Sequence, residues 1–125
     1  MKKLVYLISP NEIKKQFYDD LNKVLSYGNV KFFQLRLKKI KENNLIRIAK
    51  KIRKITYRHK VKFIINDNYN LVSKTKADGC HMGQLDGSIK IAKKKLKSKI
   101  LGITCHDSIK LAKKAVKYRV NYLAF

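Results

Sequence analysis

Apolar residues along this chain gather in short blocks of two kinds, and the two kinds alternate. Leu4-Val5-Tyr6-Leu7-Ile8 is an unbroken apolar block, the pattern of a short strand buried on both faces. Ile13, Phe17, Leu21, Val24 and Leu25 then recur at helical spacing until Gly28 ends the run. Between the two, Ser9-Pro10-Asn11-Glu12 reads as a helix start, with Ser9 as N-cap, Pro10 at the first helical position and Glu12 completing a capping box. A second strand is expected over about 30–38. The helix after it starts near Asn44 and buries Leu45, Ile48, Ala49, Ile52 and Ile55. A third strand at 61–65 leads to a short helical piece around Tyr69, Leu71 and Val72. A brief fourth strand at 78–81 is followed by a helix from about Ser88 carrying Ile89, Ala92 and Leu96. The fifth strand spans 100–104. Asp107 or Ser108 caps the next helix, and a sixth strand covers 121–125.

Strand–helix alternation of this kind means a parallel sheet with crossover helices, in one domain over 1–125. The pattern alone fits an open doubly wound sheet as well as a (β/α)₈ barrel. Polar groups at the C-terminal ends of several successive strands favour the barrel, which places its chemistry there. Neither GxGxxG nor GxxxxGK[ST] occurs, so nucleotide-binding sheets lose support. The expected fold is therefore an α/β, incomplete (β/α)₈ TIM barrel of about six strands and five helices.

Composition narrows the class. With 125 residues, 45% of them hydrophobic, the chain can build a real core. No apolar run reaches the ~20 residues of a membrane-spanning helix. The basic start Met1-Lys2-Lys3 precedes an apolar stretch too short for a secretion signal, so the expected location is the cytoplasm. The net charge of +23 raises a polyanion partner as a rival class. Its lysines, however, are spread along nearly every helix, as at Lys50-Lys51 and Lys93-Lys94-Lys95, and are not interleaved with aromatics as stacking platforms require. No specific nucleic-acid partner is expected, only weak, unselective binding at low salt.

The second strand carries the most chemistry. Phe33, Leu35 and Leu37 share one face, and Gln34, Arg36 and Lys38 the other. A guanidinium and an ammonium side by side are costly to bury without an anion, and a fork plus a point charge suits phosphate or diphosphate. The competing reading is an internal ion pair with Asp67 or Asp86, or an exposed edge strand. Asn66-Asp67-Asn68 fits turn chemistry, and equally a carboxylate placed for Mg²⁺ with Asp86 as a second one. Cys80-His81 and Cys105-His106 raise a zinc site. Neighbours on a strand point to opposite faces, though, so only one member of each pair could face a common metal.

Four segments in register, Gln34-Leu35-Arg36-Leu37-Lys38, Ile65-Asn66-Asp67, Ala77 through Asp86 (ADGCHMGQLD), and Gly102-Ile103-Thr104-Cys105-His106, resemble thiamine phosphate synthase, and the resemblance covers the whole chain. It implies a Mg²⁺-dependent transferase of thiamine biosynthesis. The family joins a pyrimidine methyl diphosphate to a thiazole phosphate through loss of diphosphate to a pyrimidine carbocation. By that likeness Gln34, Arg36, Lys38 and Asn66 would hold the pyrimidine diphosphate, and Asp67 and Asp86 the Mg²⁺. Thr104 stands where the family usually has a substrate-contacting serine, and no catalytic residue is assigned. The sister branch, thiazole tautomerase, shares the fold but generally lacks the paired Asn-Asp and the later Asp. Family barrels continue past the sixth strand with a Pro-Thr loop, a Gly-Gly strand and a final phosphate-binding loop for the thiazole phosphate. The resemblance thus implies a truncated product or incomplete sequence. Six strands cannot close an eight-stranded barrel, so the first and sixth strands are expected to present unpaired edges, leaving the chain inactive alone and prone to aggregate.

Overall fold

The computed structural model describes residues 3–125. Strands and helices alternate as β1 (Val5–Ile8), α1 (Lys15–Leu25), β2 (Val30–Leu35), α2 (Glu42–Arg58), β3 (Lys62–Asn66) and α3 (Leu71–Thr75). They continue as β4 (Gly79–Met82), α4 (Ile89–Leu96), β5 (Ile100–Thr104), α5 (Ile109–Lys117) and β6 (Tyr122–Ala124). The strands form one parallel sheet in sequential order, β1 to β6. No strand order reverses, so there is no switch point of the doubly wound kind. The sheet is also strongly curled. Five strand spacings of ~4.8 Å would set β1 and β6 roughly 24 Å apart if flat. Instead the hydroxyls of Tyr6 on β1 and Tyr122 on β6 meet at 2.5 Å across the concave side. The described residues thus form six strands and five helices of an incomplete (β/α)₈ barrel. No helix among the described residues is long and apolar enough to cross a membrane.

Alternation along each strand separates two environments. On the convex side Phe33 and Phe63 lie in register, as do Leu35 and Ile65, and Cys80 and Leu101. These side chains are sealed under the helices with Ala49 and Ile52 of α2, Ala92 of α4 and Ala115 of α5. Small residues on those helices let them sit close to the sheet. The concave side carries Gln34, His81, Thr104 and the two tyrosines. Cys80 and Cys105 are free and buried in the helix–sheet core, while His81 and His106 face the cleft. The Cys-His pairs are therefore split between the two faces. Among the described residues no group of three or more His, Cys, Asp or Glu side chains converges.

The helix starts show where local signals hold and where they fail. Ser88 and Ser108 cap α4 and α5, their hydroxyls accepting from the N–H groups of Ile91 and Leu111. The Ser9 cap is corrected: α1 begins at Lys15, behind Lys14, with no side-chain cap. Pro10 holds Ser9 extended. Ser9 therefore prolongs β1, donating its N–H to the Gln34 carbonyl at 2.9 Å and accepting the Arg36 N–H on Oγ at 2.8 Å. The second strand also ends sooner than expected, at Leu35, so Arg36 and Lys38 lie on the segment leaving it. The basic start at Met1 and Lys2 lies outside the described residues. The capping bond that a helix would have used is spent on fixing the backbone beneath Arg36.

Gly102 on β5 faces Tyr122 on β6, and a Cβ there would overlap the phenol ring. Gly102→Ala should push Tyr122 out of the lumen and destabilise the chain by ~1–3 kcal/mol, the usual range for overpacking. In urea unfolding, Gly102→Ala combined with Tyr122→Ala should lose less than the sum of the two single changes. Strict additivity would show that the glycine does not serve the tyrosine.

Candidate active site

The C-terminal ends of the strands open into a cleft of about 760 Å³. All seven residues singled out from the sequence line it: Gln34, Arg36 and Lys38 from the β2 side, Asn66 and Asp67 at the end of β3, Asp86 in the loop after β4, and Thr104 at the end of β5. They share this mouth because parallel strands all end at the same side of the sheet.

Two carboxylates and two cations meet at the rim. Asp67 sits in the left-handed region at φ 71°, a conformation aspartate tolerates better than most residues. Its N–H donates to the His81 carbonyl at 2.7 Å, which pins that turn. The Asp67 carboxylate accepts from Lys38 Nζ at 2.5 Å. The Asp86 carboxylate accepts from the Gly83 N–H at 2.7 Å, closing the loop that carries it. Asp86 has its pKa raised above the usual 3.8, first by burial and then by the carboxyl of Asp67 alongside, against the Gly83 bond and the charge of Lys38. The two acids are thus close enough to feel each other directly. Arg36 has no carboxylate partner among the described residues. It lies near enough to His81 to depress that imidazole's affinity for a proton. Of the two readings left open by the sequence, the ion pair holds for Lys38, while Arg36 is uncommitted.

A pair of acidic oxygens at one rim is the ligand type that Mg²⁺ takes, with water and phosphate oxygens completing its shell. The Lys38 ammonium already stands as a cation on one of these carboxylates. The pair is half exposed, with 45% and 33% of the two side chains accessible. Such a pair contributes only ~0–1 kcal/mol and opens at small cost. The residues present therefore fit the metal.

Below the rim runs a chain of neutral hydrogen bonds that joins side chains far apart in the sequence. Gln34 Nε2 donates to the Tyr6 hydroxyl at 2.9 Å, and Tyr6 and Tyr122 meet at 2.5 Å. Tyr122 reaches His81 Nδ1 at 2.9 Å, and His81 Nε2 reaches Thr104 Oγ1 at 2.7 Å. The rings of His81 and Tyr122 stack with centroids 5.5 Å apart. The Gln84 amide donates to the Thr104 carbonyl at 2.6 Å, tying the β4 loop to β5. From the sequence, His81 reads as a possible zinc ligand and as part of the Ala77–Asp86 segment, without a partner. A histidine and two tyrosines on inward-facing strand positions were the available signal.

Burial dominates the acid–base behaviour of this layer. It lowers the pKa of His81 from 6.5, with Asp67 opposing and Arg36 assisting. It raises both Tyr6 and Tyr122 above 10.0, and the neighbouring phenol raises Tyr122 further. Cys80, on the far face, is pushed up to about 12 by burial, with Asp67 and Asp86 adding to it, so it is an inert core thiol. For the tyrosines, the folded chain holds protons that the unfolded chain releases above pH 10.0, so stability falls as pH rises past that point. Tyr122→Phe should make the decline shallower in denaturant titrations at stepped alkaline pH. An unchanged slope would mean that Tyr122 ionises freely.

With the geometry set out, the relatives fall into place. A family model described as thiamine monophosphate synthase matches residues 5–125. The thiamine-phosphate synthase of Pelagibacter ubique is 58% identical over 125 residues, covering 99% of this chain and 60% of that protein. The thiamine-phosphate synthase of Erythrobacter litoralis is 39% identical over 97% of the chain and 58% of its own length. Among solved structures, a thiamine phosphate pyrophosphorylase from Pyrococcus furiosus superposes with a TM-score of 0.84 at 26% identity, over 98% of this chain and 58% of that one. The chain thus spans about three fifths of the length of these relatives. It belongs to the thiamine monophosphate synthase family.

Proposed function

We propose that this chain forms the pyrimidine-diphosphate and Mg²⁺ half of a thiamine-phosphate synthase site, in a cytoplasmic transferase of thiamine biosynthesis. The observation that carries this reading is the convergence of an unpaired Arg36, the ammonium of Lys38 and the two carboxylates of Asp67 and Asp86 on one rim. Carboxylates and cations in one mouth would cancel uselessly unless a ligand brought both signs. A metal diphosphate does.

Arg36 is the anchor for the diphosphate, its planar fork matching two phosphate oxygens while its backbone is held by Ser9. Lys38 exchanges Asp67 for a phosphate oxygen, which frees the carboxylate that it otherwise neutralises. Asp67 and Asp86 would hold Mg²⁺, whose chemistry here is to neutralise negative charge on the leaving diphosphate. That charge grows as the bond to the pyrimidine methylene breaks, so cations already in place stabilise the transition state more than the ground state. Gln34, Asn66 and Thr104 supply neutral polar groups for orienting the pyrimidine end. The thiazole phosphate would be held by the part of the barrel that the longer relatives possess in addition.

Calorimetric titration with the pyrimidine diphosphate tests the reading without requiring turnover. Binding should need Mg²⁺. Arg36→Ala should weaken it by about 10–100-fold, the worth of a charge-assisted hydrogen bond at roughly 1.5–3 kcal/mol. Asp67→Asn should abolish the Mg²⁺-dependent binding. Equal binding with and without Mg²⁺ would refute the proposal.

A further inference from the structure

The neutral hydrogen bonds beneath the rim can run in either of two directions, and counting protons shows what each direction demands. A neutral imidazole carries one N–H, and a phenol one O–H. Gln34 gives its amide N–H to Tyr6. Either phenol could be the donor in the Tyr6–Tyr122 bond. In the direction that uses the Tyr6 proton within the layer, Tyr6 donates to Tyr122 and Tyr122 to His81 Nδ1, so the imidazole proton is on Nε2 and is donated to Thr104 Oγ1. Thr104 Oγ1 has no further protein partner among the described residues, so its proton points into the cleft. At the other end Gln34 uses only its nitrogen, which leaves Oε1 as its free group. No buried side-chain nitrogen or oxygen among the described residues is left unpartnered, so the chain of bonds is closed along its length. Running it backwards puts the imidazole proton on Nδ1 and deprives Tyr6 of Tyr122 as an acceptor, so that its protein acceptor becomes Oε1 of a turned Gln34 amide.

We propose that Tyr6, Tyr122 and His81 are positioning residues that tie the hydrogen-bonding polarity of Gln34 to that of Thr104, so that Thr104 donates into the cleft and Gln34 accepts, the two switching only together. Ligand groups are thereby read as a set. A ligand with an acceptor at Thr104 and a donor at Gln34 is matched at both ends, and one with the same group type at both is mismatched at one end. A mismatch leaves a buried polar group unpaired, which typically costs ~1–3 kcal/mol, about a 5- to 150-fold loss in binding. Geometry supports the tie. Gly102 makes room for the Tyr122 ring, and the stacked His81 ring has both nitrogens engaged. The functional meaning rests on the substrate-facing role given above to Gln34 and Thr104, but the coupling itself does not.

Nitrogen-15 NMR of the imidazoles in the ligand-free chain, at alkaline pH where histidine is neutral, separates the two. The wild-type chain should show His81 as the Nε2–H tautomer. Gln34→Glu at the same pH replaces the amide by a group that only accepts, and should move the His81 proton to Nδ1. Adding Tyr6→Phe to Gln34→Glu should cut the connection and restore Nε2–H. Wild-type His81 found as Nδ1–H would overturn the proposal whatever the variants do, and so would a Gln34→Glu chain that folds with its tautomer unmoved. None of these signals depends on Mg²⁺ or the pyrimidine diphosphate, so failure of the substrate assignment would leave them as they are.

Discussion

Each strand here must satisfy two environments that exclude each other, and this constraint shapes everything else. Odd and even positions cannot trade places without moving an apolar row into the cleft or a charged row under the helices. The convex row is large and apolar and needs helices over it; the concave row is polar and needs a ligand, water or itself. Sequential order and uniform parallel direction then deliver every strand's C-terminal end to the same rim. Curling brings the concave rows close enough to interact, as the meeting of Tyr6 with Tyr122 shows.

Within the cleft, two electrostatic regimes lie one above the other. The rim is charged and half open, with Lys38 and Asp67 holding each other loosely and Arg36 free. Charges there cost little to rearrange because water still reaches them. The layer beneath is neutral, deeper and bonded from end to end, with burial keeping both phenols protonated and opposing charge on His81. A rearrangeable rim suits an anion that must arrive and leave. A fixed floor suits recognition of an uncharged ring.

Much of this was legible in the sequence because it depended on near neighbours. The 100–104 strand, the Ser88 and Ser108 caps and the inward row Gln34-Arg36-Lys38 follow from spacing over a few residues. So does the split of each Cys-His pair between faces. What escaped depended on distant partners. Ser9 carries every local mark of a helix cap, yet β2 claims both its N–H and its hydroxyl. Tyr6 and Tyr122 read as ordinary strand residues until curvature joins them across 116 positions. Helix ends were blurred for another reason. Lys60, Lys76, Lys97 and Arg119 occupy left-handed positions where glycine normally marks the stop. Asp67 and Asp86 read as a pair from the sequence, but spacing leaves open which carboxylate the cationic row meets, and Lys38 meets Asp67.

The cationic segment and both aspartates should serve one metal–anion complex. Paramagnetic broadening by Mn²⁺, used as a spectroscopic substitute for Mg²⁺, reads this directly from backbone amide signals. With inorganic diphosphate present, broadening should centre on Asp67, Gly83 and Asp86 and extend to Arg36 and Lys38. Loss of signal spread evenly over the acidic surface, or centred away from this rim, would contradict it.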